Sequence, residues 1–506
     1  MRVLQIGKND WSTSYSIPPE ILWMSINPGQ DVIDLSHIDV FDVVIIHISC
    51  SEELLSYLEP FMNPHRIVMD KLYYDDSSSA SDRIKQEEFF HKWMVRIVPL
   101  SNPQAFIDSI PYTYFTEQFG SKLPIRKLLF SPLIRERVWF EGTKYLSTFI
   151  TEMETFQQVF FWKLNINYDH NHPLDLWLEY EIEEGCEIAL DLHLVPLDQP
   201  EVIRLKRRYN QTELQEPLYF DHTESGYLVA SIYARGEGLL RIGALHYRHA
   251  RREVGHFLPG GIRLVDSNRQ ELFAYYHPGN LKPPLNIYFS GYRPAEGFEG
   301  YYMMKSMEHP FLLFTDPRFE GGAFYLGSSE LEQQVHNVIQ STMSRLHFRE
   351  QDLIFSGLSM GTMAALYYGS RYQAYAIIVG KPILDLLYVA YQTPLVRPYE
   401  FLTILDIVKY WDKADEEGAE IPIGTFTKDL LDSWREATVF QQTKIAVAHM
   451  LDDDYDDQAY YRLLESQLGK DTVIYSRAYQ GRHNDQTDKI VNWFVQQYRR
   501  LIKEYI

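Results

Sequence analysis

A serine lies between two glycines in Gly357-Leu358-Ser359-Met360-Gly361, after the apolar run Leu353-Ile354-Phe355 and before Thr362-Met363-Ala364-Ala365-Leu366. A serine hydroxyl is a poor nucleophile until an imidazole accepts its proton. The imidazole in turn needs a carboxylate to fix its tautomer and stabilise the cation. Small residues on either side of the serine allow a tight strand-to-helix turn that lifts the hydroxyl above a parallel sheet. The pentapeptide alone is a weak signal, and the strand before it and helix after it give it weight.

In α/β-hydrolases the partners follow in the order serine, acid, histidine, each on a loop after a later strand. Here the apolar run Ile445-Ala446-Val447-Ala448 leads into His449-Met450-Leu451-Asp452-Asp453-Asp454-Tyr455-Asp456-Asp457, and the run Thr472–Tyr475 is followed by Gly481-Arg482-His483. His483 is the candidate base. A carboxylate three or four residues past the strand end favours Asp453 as the acid, with Asp452 and Asp454 as alternatives. An EF-hand register from Asp452 puts Asp457 where glycine is needed and Leu463 where the bidentate glutamate belongs, so no metal is assigned. The oxyanion needs two donors. Met360 supplies one amide, and the segment Phe289-Ser290-Gly291-Tyr292-Arg293 supplies the other, from Tyr292 with Gly291 as runner-up. Arg293, Asp316, Arg318 and Gly321-Gly322 lie on loops that could line the pocket. No bound cofactor is expected, and the residues do not identify an acyl donor.

Positioning these groups requires a C-terminal domain of buried parallel strands and helices. After the Pro-rich break His277–Pro284, the apolar runs Leu285–Phe289, Phe311–Phe314, Leu353–Phe355, Tyr375–Val379, Ile445–Ala448 and Thr472–Tyr475 are mostly separated by helical stretches, the pattern of a doubly covered sheet. Residues 271–506 are therefore expected to form an α/β-hydrolase catalytic domain. Residues 125–270 read instead as an antiparallel β-sandwich, with period-two alternation in Glu187–Leu194 and Leu239–Arg248. Within it, His246, His249, Arg248, Arg251 and Arg252 could form an anion site, although a solvated sheet edge is favoured. Residues 1–124 alternate short apolar runs, Val3–Ile6, Phe41–Ile46, Arg66–Met69 and Val95–Val98, with amphipathic stretches. They predict a small Rossmann-like α/β domain. Gly7 is followed by Lys8-Asn9-Asp10-Trp11, so no dinucleotide fingerprint is present.

The 506-residue chain is too long for one ordinary core, and its net charge of −21 argues against nucleic acid or an anionic membrane as principal partner. Its 36 tyrosines suit carbohydrate or protein surfaces as well as core packing. Cys50 and Cys186, far apart and in different expected domains, read as buried thiols in a reducing compartment. With no leader or membrane-spanning run recognised, a soluble cytoplasmic protein is expected.

The motifs Tyr288–Arg293, Glu296–Gly300, Gly321–Tyr325, Gly357–Gly361 and Asp453–Asp456 together resemble the family of the second accessory secretory protein in the accessory Sec export system of Gram-positive bacteria. The likeness runs along the whole chain. It implies a cytoplasmic component needed to export serine-rich-repeat adhesin glycoproteins, which also acts as an O-acetyltransferase on their N-acetylglucosamine. It further implies Ser359 as nucleophile, His483 as base and an acid within Asp452–Asp454. The family's acid can be Glu, whereas every candidate here is Asp. Implied partners are the other accessory secretory proteins, the accessory Sec motor ATPase and the glycosylated adhesin, with the membrane approached only through the translocon. The alternatives are a carbohydrate esterase and a non-catalytic scaffold or glycan-binding export factor.

Overall fold

The computed structural model describes residues 1–28, 40–49, 51–74, 80–397, 403–411, 423–436 and 438–505, and Cys50 lies outside them. The chain divides into two compact units. One comprises Met1–Gln118, Ala250–Ile262 and Tyr276–Leu281, and the other Phe119–His249, Arg263–Tyr275 and Lys282–Ile506.

In the first unit, five parallel strands lie in the order Leu22–Ile26, Arg2–Gly7, Val43–His47, Ile67–Asp70, Arg96–Val98, a doubly wound arrangement. Successive side chains of a strand point to opposite faces, and both faces are covered. Leu4, Ile6, Val44 and Ile46 join Leu55, Leu58 and Phe89 in one core. Val3, Val43, Ile45 and Val68 join Trp11, Ile107 and Ile110 in another. That double burial is why these strands read as mostly apolar runs, with the buried Gln5 as a polar member of Arg2–Gly7. Leu22–Ile26 is an edge strand with an exposed Leu22; it is as apolar as Val3–Ile6 but is not among the expected strands.

Arg251, expected at an anion site or a solvated edge, is instead buried in this unit. Its guanidinium donates to the carbonyls of Phe257, Thr113, Phe115 and Glu117 and lies over the Phe115 ring. Its donors are thereby used within the fold. Burial pushes its pKa down to about 9.

In the second unit, ten strands form one hydrogen-bonded sheet around the 24-residue strand Gly226–His249. The antiparallel pairing expected for residues 125–270 is present, and one strand is long enough to serve both halves of the sheet. Its first half pairs with Cys186–Pro196 and its second with Leu174–Ile182, while Tyr145–Trp162 runs along the opposite edge. Gly236 allows the close crossing midway: φ is +93°, and a Cβ there would lie 2.0 Å from the Gly185 carbonyl oxygen. Ile188, Leu190, Leu192, Leu194, Leu240 and Ile242 fill the core as alternation predicts, and Leu245 joins them after a register shift. Cys186 is buried, which pushes its thiol pKa up to about 11.

The other face of the strand departs from expectation, because His246 and Arg248 are buried as well. His246 Nδ1 lies 2.6 Å from Glu296 and its Nε2 3.2 Å from Glu179. Arg248 donates to Glu296 and Glu271, and Arg263 also pairs with Glu271. The cations are thus neutralised internally. His249 stacks between Phe119 and His172. Burial alone would depress the His246 pKa, but Glu296 and Glu179 outweigh it and hold it above the ordinary value. A raised histidine pKa contributes stability at acidic to neutral pH that is lost as pH rises through the folded-state value. Thermal melting should therefore show stability falling as pH rises past the ordinary histidine range, with the dependence reduced in His246→Gln.

The catalytic candidates sit on an eight-stranded sheet. Its spatial order is Gly261–Val265, Glu271–His277, Phe311–Thr315, Leu285–Phe289, Leu353–Leu358, Ala376–Gly380, Lys444–Met450, Val473–Tyr479. The last six are mutually parallel. Consecutive strands run outward in order, apart from one exchange that places Phe311–Thr315 outside Leu285–Phe289. This is α/β-hydrolase topology, with Ser359 after the fifth strand in chain order. The helix Met360–Gly369 is buried along its whole length, and Ile490, Phe494 and Tyr498 anchor the terminal helix Thr487–Tyr505. Helices Leu386–Val396, Thr403–Trp411 and Ile423–Trp434 lie between the sixth and seventh strands.

Candidate active site

Ser359 occupies φ +52°, ψ −119°, a region costly for any residue with a side chain and characteristic of functional turns. The surrounding contacts explain why it stays there. A Cβ on Gly357 would lie 2.2 Å from the Gly361 carbonyl oxygen, and one on Gly361 would lie 2.1 Å from the Phe289 carbonyl oxygen. Neither position has room for a methyl group. The Ser359 amide donates to the Gly380 carbonyl at 2.8 Å, and its own carbonyl accepts from Thr362 N at 3.0 Å. Gly361→Ala should therefore lower stability by at least about 2 kcal/mol through overpacking, read as a reduced urea midpoint.

Ser359 Oγ lies 2.8 Å from His483 Nε2. On the far side of the ring, Nδ1 lies 2.9 Å from Asp453 Oδ2 and 3.0 Å from Oδ1. His483 is 1% exposed and Asp453 8%. Burial raises the carboxyl pKa, but the His483 hydrogen bond and charge, with the Tyr455 and Asp456 amides, overcome this and leave it below the ordinary value. An ionised carboxylate facing Nδ1 requires the proton there, leaving Nε2 free to accept one from the serine.

The acidic loop distributes its carboxylates among different tasks. Asp452 binds the Gln480 side chain and the Gly481 amide, and Asp454 accepts from the His483 backbone amide at 3.0 Å. Asp456 accepts from the amides of Leu384 and Asp385 at 2.8 and 2.9 Å. Burial pushes its pKa up to about 6. Of the three acid candidates, Asp453 faces the imidazole, while Asp452 and Asp454 hold the loop that carries it.

Met360 contributes the first amide of its helix, a position without an intrahelical acceptor. The Gly291 amide is engaged, donating to Glu299 Oε2 at 2.8 Å. That carboxylate draws the N–H away from the role of second oxyanion donor. The Tyr292 ring packs so closely over Gly321 that a Cβ there would fall 1.9 Å from it, and a Cβ on Gly322 would fall 2.5 Å from Met360 Cε. The diglycine thus borders both Tyr292 and Met360. Asp316 and Arg318 form a buried ion pair whose carboxylate also accepts from Ala323 and Tyr325. They brace the loop from behind. Arg293 donates to the Gly297 carbonyl.

A profile of the family described as the accessory Sec system GspB-transporter matches residues 1–506. The chain belongs to that family. It is 34% identical over 516 residues to an accessory Sec system protein of Staphylococcus aureus, covering 99% of this chain and 97% of the relative. Identity to a protein of the same description from Streptococcus gordonii is 33% over 514 residues, covering 100% and 98%. A chain in the solved glycosylation associate protein (Gap123) complex from Streptococcus agalactiae aligns with a TM-score of 0.89 at 32% identity, covering 99% of this chain and 98% of that one.

Three further residues of this family member adjoin the site and were not assigned roles from sequence. The Tyr455 ring lies 4.3 Å, centre to centre, from His483, and Glu299 holds the Gly291 amide. Both lie in motifs that carry the family likeness, which was the available signal. Lys381 follows the sixth strand at φ +57° and is 7% exposed. Burial lowers its pKa, opposed by the charges of Asp453 and Glu299. Nothing in the local pattern around Gly380-Lys381 distinguishes it from an ordinary strand end.

Proposed function

We propose that the protein is a serine-dependent O-acetyltransferase acting on N-acetylglucosamine of serine-rich-repeat adhesins within the accessory Sec export system. The observation that carries this reading is the unbroken hydrogen-bonded chain Ser359–His483–Asp453. Ser359 Oγ attacks the acyl carbonyl as its proton passes to Nε2. The bond from carbonyl carbon to leaving group breaks, and the leaving group takes that proton. A sugar hydroxyl then gives its proton to Nε2 and attacks the acyl-enzyme, and Ser359 recovers its proton as the acetylated sugar departs. The Met360 and Tyr292 amides stabilise the two oxyanions. Transfer in preference to hydrolysis rests on exclusion of water, which fits a nearly inaccessible imidazole.

Family membership supports partnership with other accessory secretory proteins, the accessory Sec motor ATPase and the adhesin, and with them a cytoplasmic location. Among the described residues no helix is long and apolar enough to cross a membrane. The test is purified protein supplied with an activated acetyl ester and an N-acetylglucosamine-bearing adhesin peptide. Acetyl on the sugar, detected by mass spectrometry, is expected. Free acetate without acetylated sugar would reassign the chemistry to an esterase.

A second reading, glycan binding in support of export, draws on one surface feature. Trp139, Phe140 and Phe149 are exposed on paired strands, with the Trp139 and Phe149 rings 5.6 Å apart. Aromatic faces of this kind suit sugar stacking. Trp139→Ala should weaken retention on an immobilised adhesin glycopeptide while leaving acetyl transfer to a free sugar in place. Unchanged retention would remove this reading.

A further inference from the structure

Arg397 follows the last residue of the helix Leu386–Val396 and is 7% exposed. Its Nε, Nη1 and Nη2 make no hydrogen bond among the described residues. The closest approach to a carboxylate is Nε to Asp454 Oδ2 at 3.8 Å, which is beyond hydrogen-bonding range. Of the other loop carboxylates, Asp453 is bonded to His483, and Asp456 accepts the Leu384 and Asp385 amides through Oδ2 while its Oδ1 lies 3.7 Å from Arg462. The guanidinium carbon lies 3.1 Å from the centre of the Tyr455 ring, and that ring lies against His483. The Tyr455 ring, tilted by 51° against the imidazole, therefore lies between the guanidinium and the candidate base.

A buried guanidinium is normally satisfied, and one whose three nitrogens make no hydrogen bond among the described residues has room for a further partner. Stacking uses the flat face of the group but leaves its N–H donors, which point outward in the guanidinium plane. Those donors form a planar fork that fits two oxygens of a phosphate or carboxylate. We propose that Arg397, backed by Tyr455, binds the phosphate group of the acyl donor. This rests on the acyl-transfer reading above. The acceptor in that reading is an uncharged sugar, so an anion one aromatic ring away from the imidazole belongs to the donor. Two chemical sources present such a group, an acyl phosphate and a thioester of a phosphate-bearing carrier. With either, the Ser359 Oγ–carbonyl bond forms while the C–O or C–S bond breaks, and the serine proton passes through Nε2 toward the departing oxygen or sulfur.

The test compares Arg397→Gln and Arg397→Lys with the wild-type full chain, each checked for cooperative thermal melting. Acyl-enzyme formation is measured with three donors: acetyl phosphate, acetyl-coenzyme A and the uncharged ester p-nitrophenyl acetate. Arg397→Gln should lose at least about tenfold more kcat/KM with one phosphate donor than with the uncharged ester, mainly through KM. Arg397→Lys should fall between, keeping the charge without the fork. The donor that is selectively affected identifies the source. An equal effect on all three donors, including no effect, overturns the proposal in favour of a structural brace. Failure of the wild-type chain to be acylated by either phosphate donor overturns it as well. Failure of the underlying reading is visible separately, as acylation by p-nitrophenyl acetate that persists in Ser359→Ala.

Discussion

Ser359→Ala is expected to reduce acyl transfer by a factor on the order of 10⁴ or more, measured as kcat/KM with an activated acetyl ester. In the proposed mechanism every covalent step passes through this hydroxyl. Without it, the remaining amides can polarise a carbonyl but have no attacking atom to stabilise. The size of the loss follows from the cooperation of the three groups, because removing the nucleophile also makes the imidazole idle. Folding should be barely affected. The Oγ makes a hydrogen bond to His483, and the tight geometry of the turn depends on Gly357 and Gly361. A melting temperature close to wild type should accompany the lost activity. Retained turnover in a well-folded variant would rule out Ser359 as the nucleophile.

Asp453→Asn should cost about 10³- to 10⁴-fold in kcat, the second largest effect. The shape of the side chain is preserved, but its amide hydrogens favour the imidazole tautomer with its proton on Nε2, which cannot accept from serine. The stabilising charge for the imidazolium disappears at the same time. Asp452→Asn and Asp454→Asn should each lose less than about tenfold, since these carboxylates touch the Gly481 and His483 backbone and not the ring. The pH profile gives an independent reading. Asp453 has a depressed pKa, so activity lost through protonation of this carboxylate should appear only below the ordinary carboxylate range, and that loss should be absent from Asp453→Asn. A larger loss from Asp454→Asn than from Asp453→Asn would exchange their assigned roles.

Much of the fold was legible because burial on two sides imposes a strong local signature. The apolar runs at Leu285–Phe289, Phe311–Phe314 and Ile445–Ala448 are strands in the structure, covered on both faces and so carrying no alternation to blur them. The 226–249 strand was harder to read. Its outward residues His246 and Arg248 look polar in sequence, and polarity ordinarily signals water. In the folded chain they meet Glu179, Glu271 and Glu296, which are distant in sequence. No local pattern encodes such a pairing. Alternation in Glu187–Leu194 and Leu239–Arg248 points to antiparallel pairing, while the union of ten strands into one sheet depends on how far a single strand extends.

At the site, the sequence by itself determined the nucleophile turn, the order of its partners and the family. The turn needs glycines at fixed spacing, and each partner must follow a strand that its own apolar run reveals. Tertiary structure alone decided which of three adjacent aspartates faces the imidazole, because neighbours along a loop differ only in direction. It also decided that the Gly291 amide is engaged by Glu299, and it brought Arg397 onto the Tyr455 ring. Those outcomes depend on distances between loops that meet only after the sheet has assembled, and the chain carries no local trace of them.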